Sequence, residues 1–151
     1  MSTYKLKAPD FDFMRRVEQV ATNSGCTRRR FGAIAVKDGK ILAEGANTSP
    51  GKIPTCMQLG ACIRDTLNIK SGEKREVAYC LCAEQMLIAK AAKDGIALDG
   101  ATMYVSAMPC PICIRQIIAT GLVRVIFKQD YPSELGLELA KLGGLELVQL
   151  P

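Results

Sequence analysis

Two short fragments carry residue types that could do chemistry. Cys82-Ala83-Glu84 offers a thiol and a carboxylate two residues apart, and Pro109-Cys110-Pro111-Ile112-Cys113 offers a Cys-x-x-Cys pair. The chain holds seven cysteines and no histidine. An imidazole base, a Ser-His-Asp triad and a histidine metal ligand are therefore excluded, and any zinc must sit on sulfur or carboxylate. An odd cysteine count with no export signal argues against a disulfide framework and for thiols that act as ligands or catalysts. A Cys-x-x-Cys pair opening a helix lets two thiolates converge on one metal ion, and the helix dipole and first-turn N–H groups stabilise their charge. Cys82 supplies a third sulfur. Three protein ligands leave the fourth tetrahedral position open, as in a catalytic zinc (Zn2+) site, whereas a structural zinc takes four. Glu84 is too close to Cys82 to be a comfortable further ligand, but it is well placed to shuttle a proton at that open position.

These fragments need elements to bring them together. Residues 10–24 place Phe13, Val17 and Val20 at helical spacing, with Asp10 expected to cap the first turn. Apolar runs at 31–36 and 41–46 flank Lys37-Asp38-Gly39-Lys40, whose Asp-Gly pair predicts a hairpin. Residues 47–76 are rich in Gly, Pro, Ser and Thr, with a short helical stretch at 63–69. A loop this long in a small protein is expected to line a binding site. An alternation follows: helix 82–93, strand 101–106, helix 110–120, strand 123–127, helix 133–142, strand 145–150. This pattern predicts parallel pairing through right-handed crossovers, in a five-stranded sheet with an antiparallel edge and helices on both faces. Cys110 lies 28 residues after Cys82, the length of one helix, a turn and a return strand. Both helix N-termini are thus expected at the same end of the sheet.

Composition bounds the remainder. A chain of 151 residues, 48% hydrophobic and 23% charged, predicts one globular domain over residues 1–151. No window reaches the ~18 apolar residues of a membrane span, and the N-terminus lacks the apolar core of a signal peptide, so no membrane partner and a cytoplasmic location are expected. The net charge of +5 has one dense cluster, Arg28-Arg29-Arg30, which suits an anionic small molecule. With 5% aromatics, no tryptophan and no basic C-terminal helix, a stacking groove for nucleic acid is not expected.

The two fragments resemble the signature of the zinc-dependent cytidine and deoxycytidylate deaminase superfamily: His or Cys, any residue, Glu, then Pro-Cys-x-x-Cys. The resemblance runs over residues 26–151 and is nearest to bacterial and archaeal deoxycytidylate deaminases. It is carried by Arg28-Arg29 before Phe31-Gly32-Ala33-Ile34-Ala35-Val36, by Asn47, by Ile69-Lys70-Ser71-Gly72-Glu73, by Gly100-Ala101-Thr102-Met103-Tyr104-Val105 and by Tyr131. Nucleoside cytidine deaminases share Cys-Ala-Glu, but their second motif is Pro-Cys-Gly-x-Cys-Arg-Gln and their last two strands are antiparallel. Two departures from the deoxycytidylate group stand out. Cys82 occupies the position of its usual histidine ligand. Ala46-Asn47-Thr48-Ser49-Pro50 replaces Tyr-Asn-Gly-x-Pro, a segment tied to triphosphate control in some relatives.

The resemblance implies a three-layer αβα cytidine deaminase-like fold, with a five-stranded mixed sheet whose last two strands are parallel. It also implies zinc on Cys82, Cys110 and Cys113, with Glu84 as the catalytic proton carrier. The implied reaction is hydrolytic deamination of a cytosine nucleotide, dCMP to dUMP and ammonia. A free nucleoside or another aminated base is the alternative substrate, and a tRNA or other nucleic-acid substrate is less favoured. Asn47, the Ala83 N–H and Tyr131 are the implied base and sugar contacts, Arg28 or Arg29 the 5′-phosphate contact, and a homo-oligomer the implied assembly. Three thiolates bring extra negative charge, for which helix N-termini or Arg115 are the expected compensation. Cys26, Cys56, Cys62 and Cys80 are read either as inert thiols or as a second zinc site, in which the histidine usual before Cys56 is replaced by Thr55.

Overall fold

The β-hairpin forms where the Asp-Gly pair calls for it. Strands β1 (Gly32–Lys37) and β2 (Lys40–Ala46) are joined through Asp38 at φ 51° and Gly39 at φ 76°, the two left-handed residues that a tight hairpin turn needs. The computed structural model describes residues 2–131 and 133–151. After the hairpin come two short helices, α2 (Cys56–Leu59) and α3 (Ile63–Thr66), and a 3₁₀ turn at Arg75–Val77. The alternation then runs α4 (Ala83–Asp94), β3 (Thr102–Ala107), α5 (Pro111–Ala119), β4 (Arg124–Gln129), α6 (Glu134–Leu142) and β5 (Glu146–Gln149). The sheet order is β2-β1-β3-β4-β5. β1 is antiparallel to both β2 and β3, while β3, β4 and β5 are parallel. The mixed sheet with its last two strands parallel is therefore as expected.

The N-terminal helix differs in detail. α1 spans Ala8–Ala21, with Lys7 at its N-cap and Pro9 in its first turn, where a missing N–H costs nothing. Asp10 sits a turn inside the helix, not at the cap, because its carboxylate reaches back to accept the Lys7 N–H at 2.7 Å. Buried at 2% exposure, it also accepts the hydroxyls of Tyr104 at 2.6 Å and Tyr4 at 3.0 Å.

Alternation along β1 assigns the two faces of the sheet. Ile34 and Val36 meet Met14, Val17 and Val20 of α1. Ala33 and Ala35 face the other way, toward Leu87 and Ala91 of α4 and Ile114 and Ile117 of α5. Small side chains on that second face let α4 come close. The approach is tightest at Gly45 of β2, where an added Cβ would lie 2.5 Å from the Leu87 nitrogen and 2.6 Å from the Ala83 carbonyl oxygen. The first turn of α4, which carries Cys82-Ala83-Glu84, is thus seated directly on β2. Met103 and Met108, at 0% and 4% exposure, are core residues.

Candidate active site

Cys82 is the N-cap of α4 and Cys110 the N-cap of α5. Each caps a helix that leaves the same end of the sheet. The Cys82 N–H donates to Gln85 Oε1 at 3.0 Å, and Pro111 follows Cys110 at the first helical position, so both entry geometries are fixed locally. Cys113 lies one turn into α5, fully buried. The three sulfurs lie within 4.8 Å of one another. Tetrahedral Zn–S bonds of about 2.3 Å put sulfurs roughly 3.8 Å apart, so the trio closes on a zinc ion with small side-chain adjustments. Among the described residues it is the one group of three or more such ligand atoms this close together. The Cys110 thiol is held low by Cys113, then by Cys82, and further by the Cys113 N–H. This is the thiolate-favouring environment that a soft metal ion needs.

Glu84, the second residue of α4, is buried at 8% exposure beside the trio. Burial raises its carboxyl to about 7, and the Cys110 charge adds to the rise while its own N–H, Cys113 and Arg75 oppose it. A carboxyl of this kind can hold or release a proton near neutral pH. Glu84, Cys82 and Cys110 line one pocket. Ala83 lies between two wall residues with its side chain in the core, and as the first residue of α4 it has an N–H with no intrahelical acceptor.

The opposite wall comes from loops. A bridge between Thr48 and Leu81, with the Leu81 N–H donating to the Thr48 carbonyl at 2.9 Å, ties the loop after β2 to the approach to Cys82. Asn47 reaches the pocket but is largely committed to the backbone. Its Oδ1 accepts from Phe31 N–H at 2.9 Å and from the Ser24 hydroxyl, and its Nδ2 donates to the Arg29 carbonyl at 2.7 Å. One amide hydrogen is left for a ligand. Asn47 therefore sets the course of the Arg29–Phe31 backbone as well as lining the pocket. Arg28 and Arg29 both reach the pocket. Arg28 donates through Nε to Asp65 at 2.7 Å, and its Nη1 is buried with no partner. Tyr131 also lines the pocket, with its hydroxyl over Gly72.

Two arginines escaped the sequence reading. Arg64 on α3 is 7% exposed, lines the same pocket and has an unpartnered buried Nε. Arg75, opening the 3₁₀ turn, donates from Nη2 to Cys82 Sγ. Burial alone would lower Arg75, but Cys82, Cys110, Cys113 and Glu84 outweigh it and hold its charge. Arg115, expected to offset the thiolate charge, is exposed on α5 and lines no part of the pocket. No sequence signal separated these arginines from the others, since Arg64 lies on a single helical turn and Arg75 opens a 3₁₀ turn, and where each side chain goes depends on tertiary contacts. Of the other cysteines, Cys26 and Cys80 also border the pocket; Cys80 interacts with Cys26, and Cys56 with Cys62 and Cys26.

Residues 8–129 match the family described as the cytidine and deoxycytidylate deaminase zinc-binding region. The chain belongs to this family. It is 30% identical over 131 residues to the deoxycytidylate deaminase of Mycobacterium phage D29, covering 83% of this chain and 99% of that one. It is 32% identical over 130 residues to the deoxycytidylate deaminase of Saccharomyces cerevisiae, covering 83% of this chain and 40% of that one. The chain spans about two-fifths of the length of the two yeast relatives it matches. Among solved structures, the dCMP deaminase of cyanophage S-TIM5 in complex with dCMP and dUMP superposes with a TM-score of 0.77 at 27% identity, covering 97% of this chain and all of that one. The zinc cofactor and the cytidine deaminase-like fold implied by the motifs are thus those of the family. Among the described residues, no helix is long and apolar enough to cross a membrane.

Proposed function

We propose that the chain deaminates a cytosine nucleotide hydrolytically, with dCMP converted to dUMP and ammonia. The observation that carries this reading is a single pocket. On one wall lie Cys82 and Cys110 of the zinc-competent trio, with buried Glu84. On the other lie Arg28 and Arg64, each with a buried N–H that has no protein partner. A cytosine ring with an anionic tail fits such a pocket at both ends. The relatives named as deoxycytidylate deaminases, and the cyanophage enzyme bound to dCMP and dUMP, support the same substrate.

Cys82, Cys110 and Cys113 would hold a zinc ion, which would supply a water molecule activated near neutral pH. Glu84 takes a proton from the attacking water and delivers it to N3 of the ring as the C4–O bond forms, then carries the proton of the new C4 hydroxyl to the amine, so that the C4–N bond breaks and the C4 carbonyl forms. The Ala83 N–H is the donor to the ring carbonyl, and Asn47 uses its remaining amide hydrogen on the sugar. Backbone carbonyls of Ala107 and Met108, at the pocket wall before Pro109, accept from the amine. Tyr131 covers the ring. Arg28 and Arg29 hold the 5′-phosphate, and Arg64 joins them. A homo-oligomer is part of this reading, with exposed Met57, Leu59 and Leu67 in the loop layer as candidate contacts, and sedimentation velocity measures it.

The test is ammonia release by zinc-loaded protein given dCMP, CMP, deoxycytidine and cytidine in parallel. dCMP is expected to be the best of the four. Glu84→Gln is expected to keep its zinc and lose about 10²- to 10⁴-fold in rate. A preference for a nucleoside would overturn the phosphate assignment, and a fully active Glu84→Gln would overturn the mechanism.

A further inference from the structure

We infer that Arg75 is the positioning and charge-balancing partner of Cys82, the residue that makes an all-sulfur metal site workable in this chain. Two thiolates balance a divalent zinc. A third leaves one excess negative charge on the centre, and an ionised Glu84 adds a second. The excess works against the chemistry, because a centre rich in sulfur charge polarises a bound ligand less than one with a neutral donor. The only guanidinium that meets the trio directly among the described residues is that of Arg75, donating from Nη2 to Cys82 Sγ. Arg75 is half-buried, lines the pocket and makes no ion pair with a carboxylate among the described residues. Its charge is therefore directed at the sulfur cluster and not spent on a surface partner.

The geometry gives Arg75 two effects through one contact. The N–H···S bond draws electron density from Cys82, which weakens that sulfur as a donor, and it fixes the thiolate's orientation at the start of α4. Arg75 is brought there by the backbone before it, where Lys74 takes a left-handed φ of 43° and turns the chain into the 3₁₀ turn Arg75–Val77. The arginine and the cysteine are thus a pair. With an imidazole at position 82, the third thiolate's charge and the sulfur acceptor would both be absent, and Arg75 would face only the charge of Glu84.

That pairing is testable by a double-mutant cycle with a spectroscopic readout on the cobalt-substituted protein. Arg75→Gln is expected to bind one Co2+ per chain at the trio, to move the sulfur-to-cobalt charge-transfer absorption to longer wavelength, and to lower turnover of the zinc form by about 10- to 100-fold. In a Cys82→His background the same substitution is expected to leave the absorption unmoved and to change turnover less than about threefold. This expectation rests on the metal reading of the trio and not on which nucleotide is deaminated. The absorption shift is therefore read even if no cytosine compound proves to be a substrate. If Arg75→Gln does not fold, Arg75→Lys is read the same way, with a smaller shift. An unmoved absorption overturns the inference, as does an equal loss in both backgrounds. A higher KM for dCMP with unchanged kcat and no effect on deoxycytidine would also overturn it, since that result would make Arg75 a phosphate contact.

Discussion

The seven cysteines fall into two groups held in different ways. Cys82, Cys110 and Cys113 sit on the first residues of α4 and α5, helices anchored through Leu87, Ala91, Ile114 and Ile117 in the core. Cys26, Cys56, Cys62 and Cys80 sit on loops and short helices. Backbone bonds fix them there, such as Gly25 N–H to the Asn47 carbonyl at 3.1 Å and Met57 N–H to the Gly25 carbonyl at 3.1 Å. The first group has sulfurs close enough to share one ion and faces Glu84 and Arg75. In the second, the thiols influence one another more loosely, most strongly Cys26 with Cys80, and Cys56 with both Cys62 and Cys26. The difference teaches that where regular elements deliver a residue, the chemistry is set by the packing of the core. Where loops deliver it, the chemistry is set by individual hydrogen bonds, and each has to be broken separately to learn its weight.

The largest effect should come from breaking the first group at a ligand. Cys110→Ala is expected to release one zinc per chain and to abolish deamination, read by metal analysis beside the ammonia assay. Any zinc that stays bound then belongs to the loop thiols, which makes the same measurement a test of how far the two groups differ. Retention of activity would break the comparison, because it would place the reaction away from the trio. Next in size is Gly45→Ala. Its new Cβ would overlap the α4 backbone at Leu87 and Ala83, at a cost of about 1–3 kcal/mol for overpacking. The shift falls on the helix start that carries Cys82 and Glu84. Turnover is expected to drop more than the unfolding midpoint suggests, while alkylation of Cys26 in the second group stays unchanged.

This division also marks what was legible in the sequence. Asp38-Gly39, the apolar runs at 31–36 and 41–46, and the helix–strand alternation after Cys82 are local signals, and they sufficed to place three sulfurs and Glu84 at one end of a mixed sheet. The position of Asp10 was misjudged because Pro9 and the Lys7 N–H extend α1 by a short stretch that composition does not distinguish. Arg64 and Arg75 were missed for a stronger reason. Their side chains reach the pocket through the Thr48–Leu81 bridge, the α3 helix and a left-handed Lys74; the helical stretch at 63–69 was legible, but not which of its side chains meets the pocket. Arg115 looked suitable by its nearness in sequence to Cys113, but its place on α5 points it to solvent.

A smaller effect sharpens the comparison from the loop side. Asn47 ties the chain before β1 to the chain after β2, accepting from Phe31 N–H and Ser24 and donating to the Arg29 carbonyl. Asn47→Ala leaves these buried groups unpaired, at about 1–3 kcal/mol for a donor or acceptor of this kind. The unfolding midpoint is expected to fall and the KM for dCMP to rise, with bound zinc unaffected, since the trio does not depend on this segment. Loss of zinc in Asn47→Ala would show that the two regions are one cooperative unit.

The smallest expected effect concerns Cys26. Its thiol is pushed down to about 5, first by the interaction with Cys80, then by the Arg29 and Arg28 N–H groups and the Arg64 charge, against the opposing effect of burial. Cys80 is pushed up by the same contact, by burial and by the charges of Cys26, Cys56 and Cys62. The thiolate is the nucleophile, so the rate of alkylation by iodoacetamide follows its fraction. Alkylation of Cys26, followed by mass spectrometry of its peptide, is expected to keep its full rate down to about pH 6, because a lowered pKa preserves the thiolate above that value. In Cys80→Ala the midpoint is expected to rise toward the ordinary thiol value of about 8.5, which makes Cys26 slower to react at pH 7, while metal content and turnover change little. A midpoint that does not move would assign the low pKa to the backbone N–H groups and Arg64 alone, and the loop thiols would then act singly and not as a pair.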